Sequence, residues 1–234
     1  MDSQLLLKFL KVIREYDIDL FWHSLNVANL ALRINYELEF EGALNISIVK
    51  GALLHDLGKT RIDPNILNKP GPLTESEWQE IHKHPLWGVR MLAEKVTDPF
   101  LLDLVRLHHE RWDGNGYYGY RGEEIPLAAR IITLADALDA MISPRPYRQS
   151  RRPDQALNII KENAGTQFDP GLVQALKCAT WQPENYCCLS GFAQVIEAEE
   201  TWLDYLMRLE DKLFRLLEQA QRQRLNKIKF SGPV

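Results

Sequence analysis

Five of the six histidines form an ordered series with two aspartates, and both side-chain types bind divalent metals. The series consists, in chain order, of His23, His55, Asp56, His84, His108, His109 and Asp136. Seven ligands are too many for one tetrahedral site with an open position, which needs about three or four. They suit two adjacent metals that share a carboxylate. This arrangement predicts metal-activated hydrolysis, with a phosphate ester as the first candidate substrate.

The predicted ligands stand in apolar stretches of sequence, where a polar side chain needs a partner. His55-Asp56 ends an apolar segment that begins near Ile46, and Asp136 follows a run that begins at Ile131. The His108-His109 pair directly follows an apolar segment as well. Because buried polar groups without partners are costly, one shared metal centre would account for all of them together.

Length and composition narrow the class of protein. With 234 residues and 45% hydrophobic residues, one domain plus an appendage is expected. Lys and Arg number 28 against 32 Asp and Glu, which argues against a nucleic-acid binder. The chain has three cysteines, and because an odd number cannot all pair, a disulfide framework is not predicted. No signal peptide and no membrane span are predicted, so we expect a cytoplasmic protein without a membrane partner.

The apolar pattern is helical almost throughout and predicts an all-α fold. Thr74 and Glu77 have the spacing of a capping box and should begin a helix that reaches His84. The other predicted helices are a first one around Leu5–Ile13, then Leu20–Tyr36, Ile46–Leu57, Phe100–His109, Pro126–Met141, Asp154–Asn163 and Pro170–Thr180, with Ile62–Pro72 as a loop.

Residues 181–234 differ in pattern from residues 1–180, so the two ranges are predicted as separate units. An apolar stripe from Trp202 to Leu217, with charges on the other face, predicts one long amphipathic C-terminal helix. This helix either packs back onto the domain or joins a second copy or a regulatory protein.

Several ordered motifs resemble the HD-GYP branch of the HD phosphohydrolase superfamily. They are His55-Asp56-Leu57-Gly58-Lys59, Leu67-Asn68-Lys69-Pro70-Gly71, His108-His109-Glu110-Arg111-Trp112-Asp113-Gly114, Arg145-Pro146-Tyr147-Arg148 and Phe168-Asp169-Pro170. The resemblance covers about residues 20–180. It implies an all-α helical bundle of the HD superfamily. It also implies a metal-dependent phosphodiesterase that opens cyclic di-GMP to a linear dinucleotide or GMP.

The resemblance also implies a ligand set for two metals, with iron or manganese favoured. His23, His55, Asp56 and Asp136 would hold one metal, and Asp56, His84, His108 and His109 the other. A hydroxide between the metals would attack the phosphorus. A third metal occurs in some family members, and the corresponding position here is Asp19. If Asp19 binds no metal, we expect it to cap the helix that carries His23.

Four further residues are implied as substrate contacts. Lys59 would reach the scissile phosphate and so share the catalytic role with Asp56, or else be an ordinary surface lysine. Arg145 and Arg148 would grip phosphate. Tyr117 would pack against a guanine or anchor its loop. Asp139 is interpreted as orienting a metal ligand, and Glu110 and Arg111 as ion-pair and loop residues.

The signature loop departs from the family pattern. Family members carry Gly-Tyr-Pro, whereas this chain has Gly116-Tyr117-Tyr118, and the segment to Gly122 is about one residue shorter. Because proline fixes φ, its loss should change the shape of the loop. Two alternatives therefore stand beside the phosphodiesterase: a silent metal-bound receptor for cyclic di-GMP, and an HD hydrolase of another nucleotide.

Overall fold

The structure is a computed structural model that describes residues 1–37, 42–143 and 150–178. Within these residues the fold is all-α, as predicted, with one isolated β-bridge between Ala164 and Phe168. The α-helices are α1 (Ser3–Tyr16), α2 (Ile18–Glu37), α3 (Gly42–Leu54), α4 (Pro64–Leu67), α5 (Glu75–His82), α6 (His84–Ala93), α7 (Pro99–Leu107), α8 (Leu127–Ile142), α9 (Pro153–Glu162) and α10 (Pro170–Cys178). Two short 3-10 turns cover Leu57–Arg61 and Gly122–Glu124.

Local capping explains where several helices begin. The predicted capping box of α5 is confirmed: the Thr74 hydroxyl accepts from the Glu77 amide, and the Glu77 carboxylate accepts from the Thr74 amide. Asp98 caps α7 with its side chain, which accepts the amides of Phe100 and Leu101. At α2, the carboxylate of Asp17 accepts a hydrogen bond from the Leu20 amide at 2.9 Å. Asp17, rather than Asp19, therefore caps the helix that carries His23.

The core brings together the helices that carry the predicted ligands. Helix α2 packs against α3 and α8, and α3 also packs against α7. Side chains such as Leu25, Ile34, Leu54, Leu104 and Ile132 fill the space between them and are almost fully buried. Each such side chain stabilises the fold by roughly 1.5–3 kcal/mol. The predicted metal ligands therefore lie at the closely packed centre of the helical bundle.

Three predicted helices end earlier than expected, each at a ligand. Helix α3 ends at Leu54, so His55-Asp56 lies in a turn, and α7 ends at Leu107, before His108. Helix α5 ends at His82, and His84 begins a new helix with Pro85 in its first turn. The prediction of continuous helices at these points was wrong. Apolar periodicity continues across each break because the ligands themselves are buried.

Part of the prediction falls outside the described residues. The long C-terminal helix, the boundary between residues 180 and 181, Arg145 and Arg148 all lie there. Among the described helices, none is both long enough and apolar enough to cross a membrane.

Candidate metal centre

Asp56 stands between two groups of histidines, with one carboxylate oxygen toward each group. Its Oδ1 lies 3.2 Å from Nε2 of His84 and 3.8 Å from Nε2 of His108. Its Oδ2 lies 3.3 Å from Nε2 of His55 and 3.6 Å from Nε2 of His23. The carboxylate is buried in the turn after α3. This is the geometry that a carboxylate bridging two metals requires.

Three of the histidines are oriented by the same local hydrogen bond. Nδ1 of His55, His84 and His108 lies 2.6, 2.7 and 2.8 Å, respectively, from the carbonyl oxygen three residues earlier. A carbonyl only accepts hydrogen bonds, so each Nδ1 must carry the ring proton. Each Nε2 is then an unprotonated lone pair directed at Asp56. The early helix ends permit this, because His55 and His108 directly follow the last helical residue.

The resulting contacts fit a bound cation. Nε2 of His84 lies 3.2 Å from Nε2 of His108, and both atoms are acceptors in the tautomers described above. Within the described residues, His55 Nε2 and Asp56 Oδ1 are buried and have no hydrogen-bond partner. Buried acceptors that face one another are unfavourable unless a cation lies between them. These nitrogen and oxygen atoms are therefore suited to bind divalent metals.

The first predicted ligand group consists of His23, His55, Asp56 and Asp136. The ligand atoms of His23, His55 and Asp56 lie within 4.8 Å of one another, and Asp136 adjoins them through His23. Nε2 of His23 lies 3.1 Å from Oδ1 of Asp136 on α8. Burial alone would lower the pKa of His23, but hydrogen bonds to Asp136 and Asp139 outweigh it and raise that pKa to about 9. Burial would raise the pKa of Asp136, and the hydrogen bond from His23 instead holds it well below its usual range. Without a metal, a proton on His23 partly takes the place of the cation.

Asp139 holds the other side of the His23 ring. Its Oδ2 lies 2.6 Å from Nδ1 of His23, and its Oδ1 accepts a hydrogen bond from the Ser143 hydroxyl at 2.5 Å. The carboxylate is buried one turn after Asp136 on α8. A carboxylate behind a ligating histidine fixes the ring tautomer and makes the ligand more basic. The structure thus places Asp139 where the sequence predicted an orienting residue.

The second group consists of Asp56, His84, His108 and His109, whose ligand atoms lie within 4.8 Å of one another. Burial lowers the pKa of all three histidines, to about 3 for His109, where His84 contributes further. Burial would raise the pKa of Asp56, but His55 and Lys59 hold it well below its usual range. Neutral imidazoles around one carboxylate are the protonation states that metal binding needs.

Lys59 lies beside the Asp56 oxygen that faces His23 and His55. Its Nζ is 2.6 Å from Oδ2 of Asp56, and the side chain is 20% exposed. The ordinary surface lysine considered from the sequence does not describe this position, because the ammonium group faces the bridging carboxylate. A metal on that oxygen would compete with Lys59 for it.

Tyr117 packs among histidines beside the second group. Its ring stacks on His82 with centroids 3.4 Å apart, and it lies 4.6 Å from the ring of His109. Burial, together with the charges of Asp56 and Asp136, raises the pKa of Tyr117 to about 12. This position matches the loop-anchoring alternative for Tyr117, and contact with a guanine stays a prediction. His82, the histidine outside the predicted set, supplies the partner ring.

Glu110 is the residue whose importance the sequence did not reveal. Its buried carboxylate accepts the backbone amides of Tyr118 at 2.7 Å and Tyr120 at 2.9 Å. Arg111 does form the expected local ion pair, 2.8 Å from Asp113. The sequence did contain one signal for this role, which is the position of an acidic residue between the His-His pair and a glycine-rich turn.

Asp19 lies apart from both ligand groups. It is exposed in the first turn of α2, and neither cluster of ligand atoms found in the described residues contains it. A third metal therefore stays a prediction from the resemblance alone.

The sequence model of the HD domain family matches residues 10–172. The chain belongs to the HD domain family. All seven predicted metal ligands fall inside the matched range, and the family relation agrees with the clustered histidines and aspartates.

The chain is also similar to curated phosphodiesterases and shares its fold with a solved HDG"Y"P protein. The chain is 40% identical over 166 residues to the 3′3′-cGAMP-specific phosphodiesterase 3 of Vibrio cholerae, covering 70% of this chain and 36% of that protein. It is 36% identical over 174 residues to a cyclic di-GMP phosphodiesterase of Thermotoga maritima, covering 72% and 47%. A solved HDG"Y"P protein of Bdellovibrio bacteriovorus shares the fold at 21% identity and a TM-score of 0.56, covering 66% and 50%.

The HD domain chain spans about a third to a half of the length of these curated relatives. Their names give two different cyclic dinucleotides, at similar levels of identity to this chain.

Proposed function

We propose that this HD domain is a metal-dependent phosphodiesterase that opens cyclic di-GMP to a linear dinucleotide or GMP. The bridging position of Asp56, with one oxygen toward each histidine group, carries the proposal. The identity to phosphodiesterases of two cyclic dinucleotides supports the substrate class.

Two divalent metals, iron or manganese, would be held by the two ligand groups. When bound, they would lower the pKa of a water molecule toward neutrality and offset charge on the phosphate oxygens. The chain itself fixes the imidazoles: backbone carbonyls hold His55, His84 and His108, and Asp139 holds His23. This preorganisation means that little rearrangement of the ligands is required.

Lys59 would bind a phosphate oxygen as a point charge once Asp56 is shared between metals. Its ammonium group is already at the cluster, 2.6 Å from Asp56. Tyr117, with its pKa near 12, keeps its phenolic proton at neutral pH and can donate or accept a hydrogen bond or provide a packing surface there. Arg145 and Arg148 are proposed to grip a second phosphate, on the strength of the resemblance.

A second candidate substrate is 3′3′-cGAMP, which differs from cyclic di-GMP in one base. It is favoured by the relative that is 40% identical to this chain. The predicted metal ligands would act on the phosphodiester, which both substrates share, so they are equally compatible with either one.

The test begins with the metal content of the purified chain. The protein is then incubated anaerobically with Fe²⁺ or Mn²⁺ and with each of cyclic di-GMP, 3′3′-cGAMP and cyclic di-AMP, and the products are separated. About two metals per chain and a linear dinucleotide or GMP from cyclic di-GMP would support the proposal. Metal and tight dinucleotide binding without any product would instead support the silent receptor.

Variants of two lysines sharpen this test. Lys59→Met should raise KM or lower kcat by about tenfold or more while metal content stays unchanged. Lys69→Met is the matched control, since Lys69 pairs with Glu77 at 2.7 Å, away from the ligands, and should leave turnover unchanged. Equal turnover in the two variants would remove Lys59 from the proposed site.

A further inference from the structure

The loop with the altered signature is bound to the segment that carries two metal ligands. Glu110 directly follows His108-His109, and its two carboxylate oxygens each accept one backbone amide of the loop. Oε1 accepts from Tyr118, and Oε2 accepts from Tyr120. The carboxylate is only 2% exposed, so water cannot replace these donors.

Two glycines make this closed geometry possible. A Cβ on Gly116 would lie 2.6 Å from Cα of Glu110 and 2.7 Å from the amide nitrogen of Arg111, so only glycine permits the approach. Gly119, between the two donors, has a φ of +82°, the left-handed conformation that favours glycine. A left-handed residue turns neighbouring amides toward a common anion.

The Tyr118 hydrogen bond depends on the departure from the family signature. Where family members have proline in Gly-Tyr-Pro, this chain has Tyr118, and proline has no amide proton to donate. The 2.7 Å bond from Tyr118 to Glu110 can therefore form in this chain and not in a chain with proline at this position.

We infer that Glu110 is a positioning residue that fixes the altered loop through the Tyr118 amide, which takes over the structural role of the missing proline. The loop then keeps Tyr117 stacked on His82 and against His109. The inference rests on the proposed function for its consequence on substrate binding, while the hydrogen bond itself does not. It also means that loss of the proline does not release the loop.

Amide spectra of the full chain test the bond directly. Selective ¹⁵N-tyrosine labelling of the Zn²⁺-loaded protein gives at most eight amide signals, because the chain has eight tyrosines. Tyr118 and Tyr120 are assigned through Phe substitutions. We expect both amides to exchange slowly with solvent and to shift in Glu110→Gln. Unprotected exchange of Tyr118 in the wild-type protein would overturn the inference.

Proline and alanine at position 118 provide a matched comparison, since both lose the ring and only alanine keeps the amide proton. We expect Tyr118→Pro to melt roughly 3–12 °C below Tyr118→Ala, although proline restores the family signature. In a Glu110→Ala background this difference should largely vanish, because the acceptor is gone. Equal melting of the two variants, or an unchanged difference in that background, would contradict the inference.

Ring-current shifts and kinetics separate positioning from general stability. The His82 ring protons should be shifted upfield by the stacked Tyr117 ring in Tyr118→Ala and lose that shift in Tyr118→Pro. With cyclic di-GMP, Tyr118→Pro should raise KM at least about threefold over Tyr118→Ala at equal metal content. Protected amides together with absence of turnover in every variant would refute the proposed function and leave the bond standing. An unaltered His82 shift would refute the positioning role.

Discussion

Gly58 lies directly against the backbone of His84. This contact packs the turn that carries Asp56 against the start of α6. A Cβ at Gly58 would be 1.8 Å from the carbonyl oxygen of His84 and 2.5 Å from the amide nitrogen of Gly88. The contact sets the distance between two ligands that are 28 positions apart in the sequence. It therefore serves the geometry of the metal centre as well as the packing of the fold.

Gly58→Ala should destabilise the protein by about 3 kcal/mol or more, because the new methyl group meets backbone atoms that cannot move aside. The measurement is the unfolding midpoint in urea, together with metal content. Gly51→Ala is the control, since its Cβ would meet side-chain atoms of Leu104 at 2.8 Å and of Ile132 at 3.0 Å. If the two variants lost equal stability, the backbone contact would not be decisive.

Asp56→Ala should reduce metal content from about two ions per chain to none, because both ligand groups lose their shared carboxylate. Metal analysis by mass spectrometry after dialysis measures this. Asp19→Ala serves as the carboxylate control and should leave the content unchanged, since Asp19 is exposed and outside both groups. A wild-type content of about three ions that fell to two in Asp19→Ala would instead reveal a third metal that Asp19 helps to bind.

Asp139→Asn should weaken binding at the first group by about 10–100-fold, since a neutral amide makes His23 less basic than the carboxylate does. Competition with a chelator measures this affinity, and the ion at the second group should be retained. Ser143→Ala removes only a hydrogen bond to Asp139 and should have a smaller effect. Equal losses of the two ions in Asp139→Asn would show that Asp139 acts on the whole fold.

The metal-free protein should lose stability as the pH falls from about 6.5 toward 3. The pKa of His109 is lowered to about 3 by burial, so below 6.5 the unfolded chain binds a proton that the folded chain does not. His84 and His108 shift in the same direction. The pKa of His23 is raised to about 9, so His23 affects stability at higher pH. Its contribution to the stability of the folded chain is complete below pH 6.5 and is lost as the pH rises through 9.

Melting temperatures of the chelator-treated chain at pH 5, 6 and 7 measure the predicted loss of stability at acidic pH. We expect the lowest value at pH 5. A melting temperature that stayed level over this range would mean that the cluster is not buried in its neutral form.

The candidate ligands and the helical class could both be predicted from the sequence alone. Residue type decides what can bind a metal, and local rules decide helix starts, as the capping box at Thr74 and Glu77 shows. These features depend on neighbours within a turn or two, so they can be read from the chain.

How the candidate ligands face one another could be seen only in the folded structure. The stacking of His82 on Tyr117 and the close approach of Gly58 to the His84 backbone both depend on contacts between distant segments. The division of Asp56 between two histidine groups likewise needs four segments to meet at one point. Apolar periodicity predicts that a residue is buried, but it does not predict which residues surround it. The pattern is the same whether the neighbour is a leucine or a candidate metal ligand.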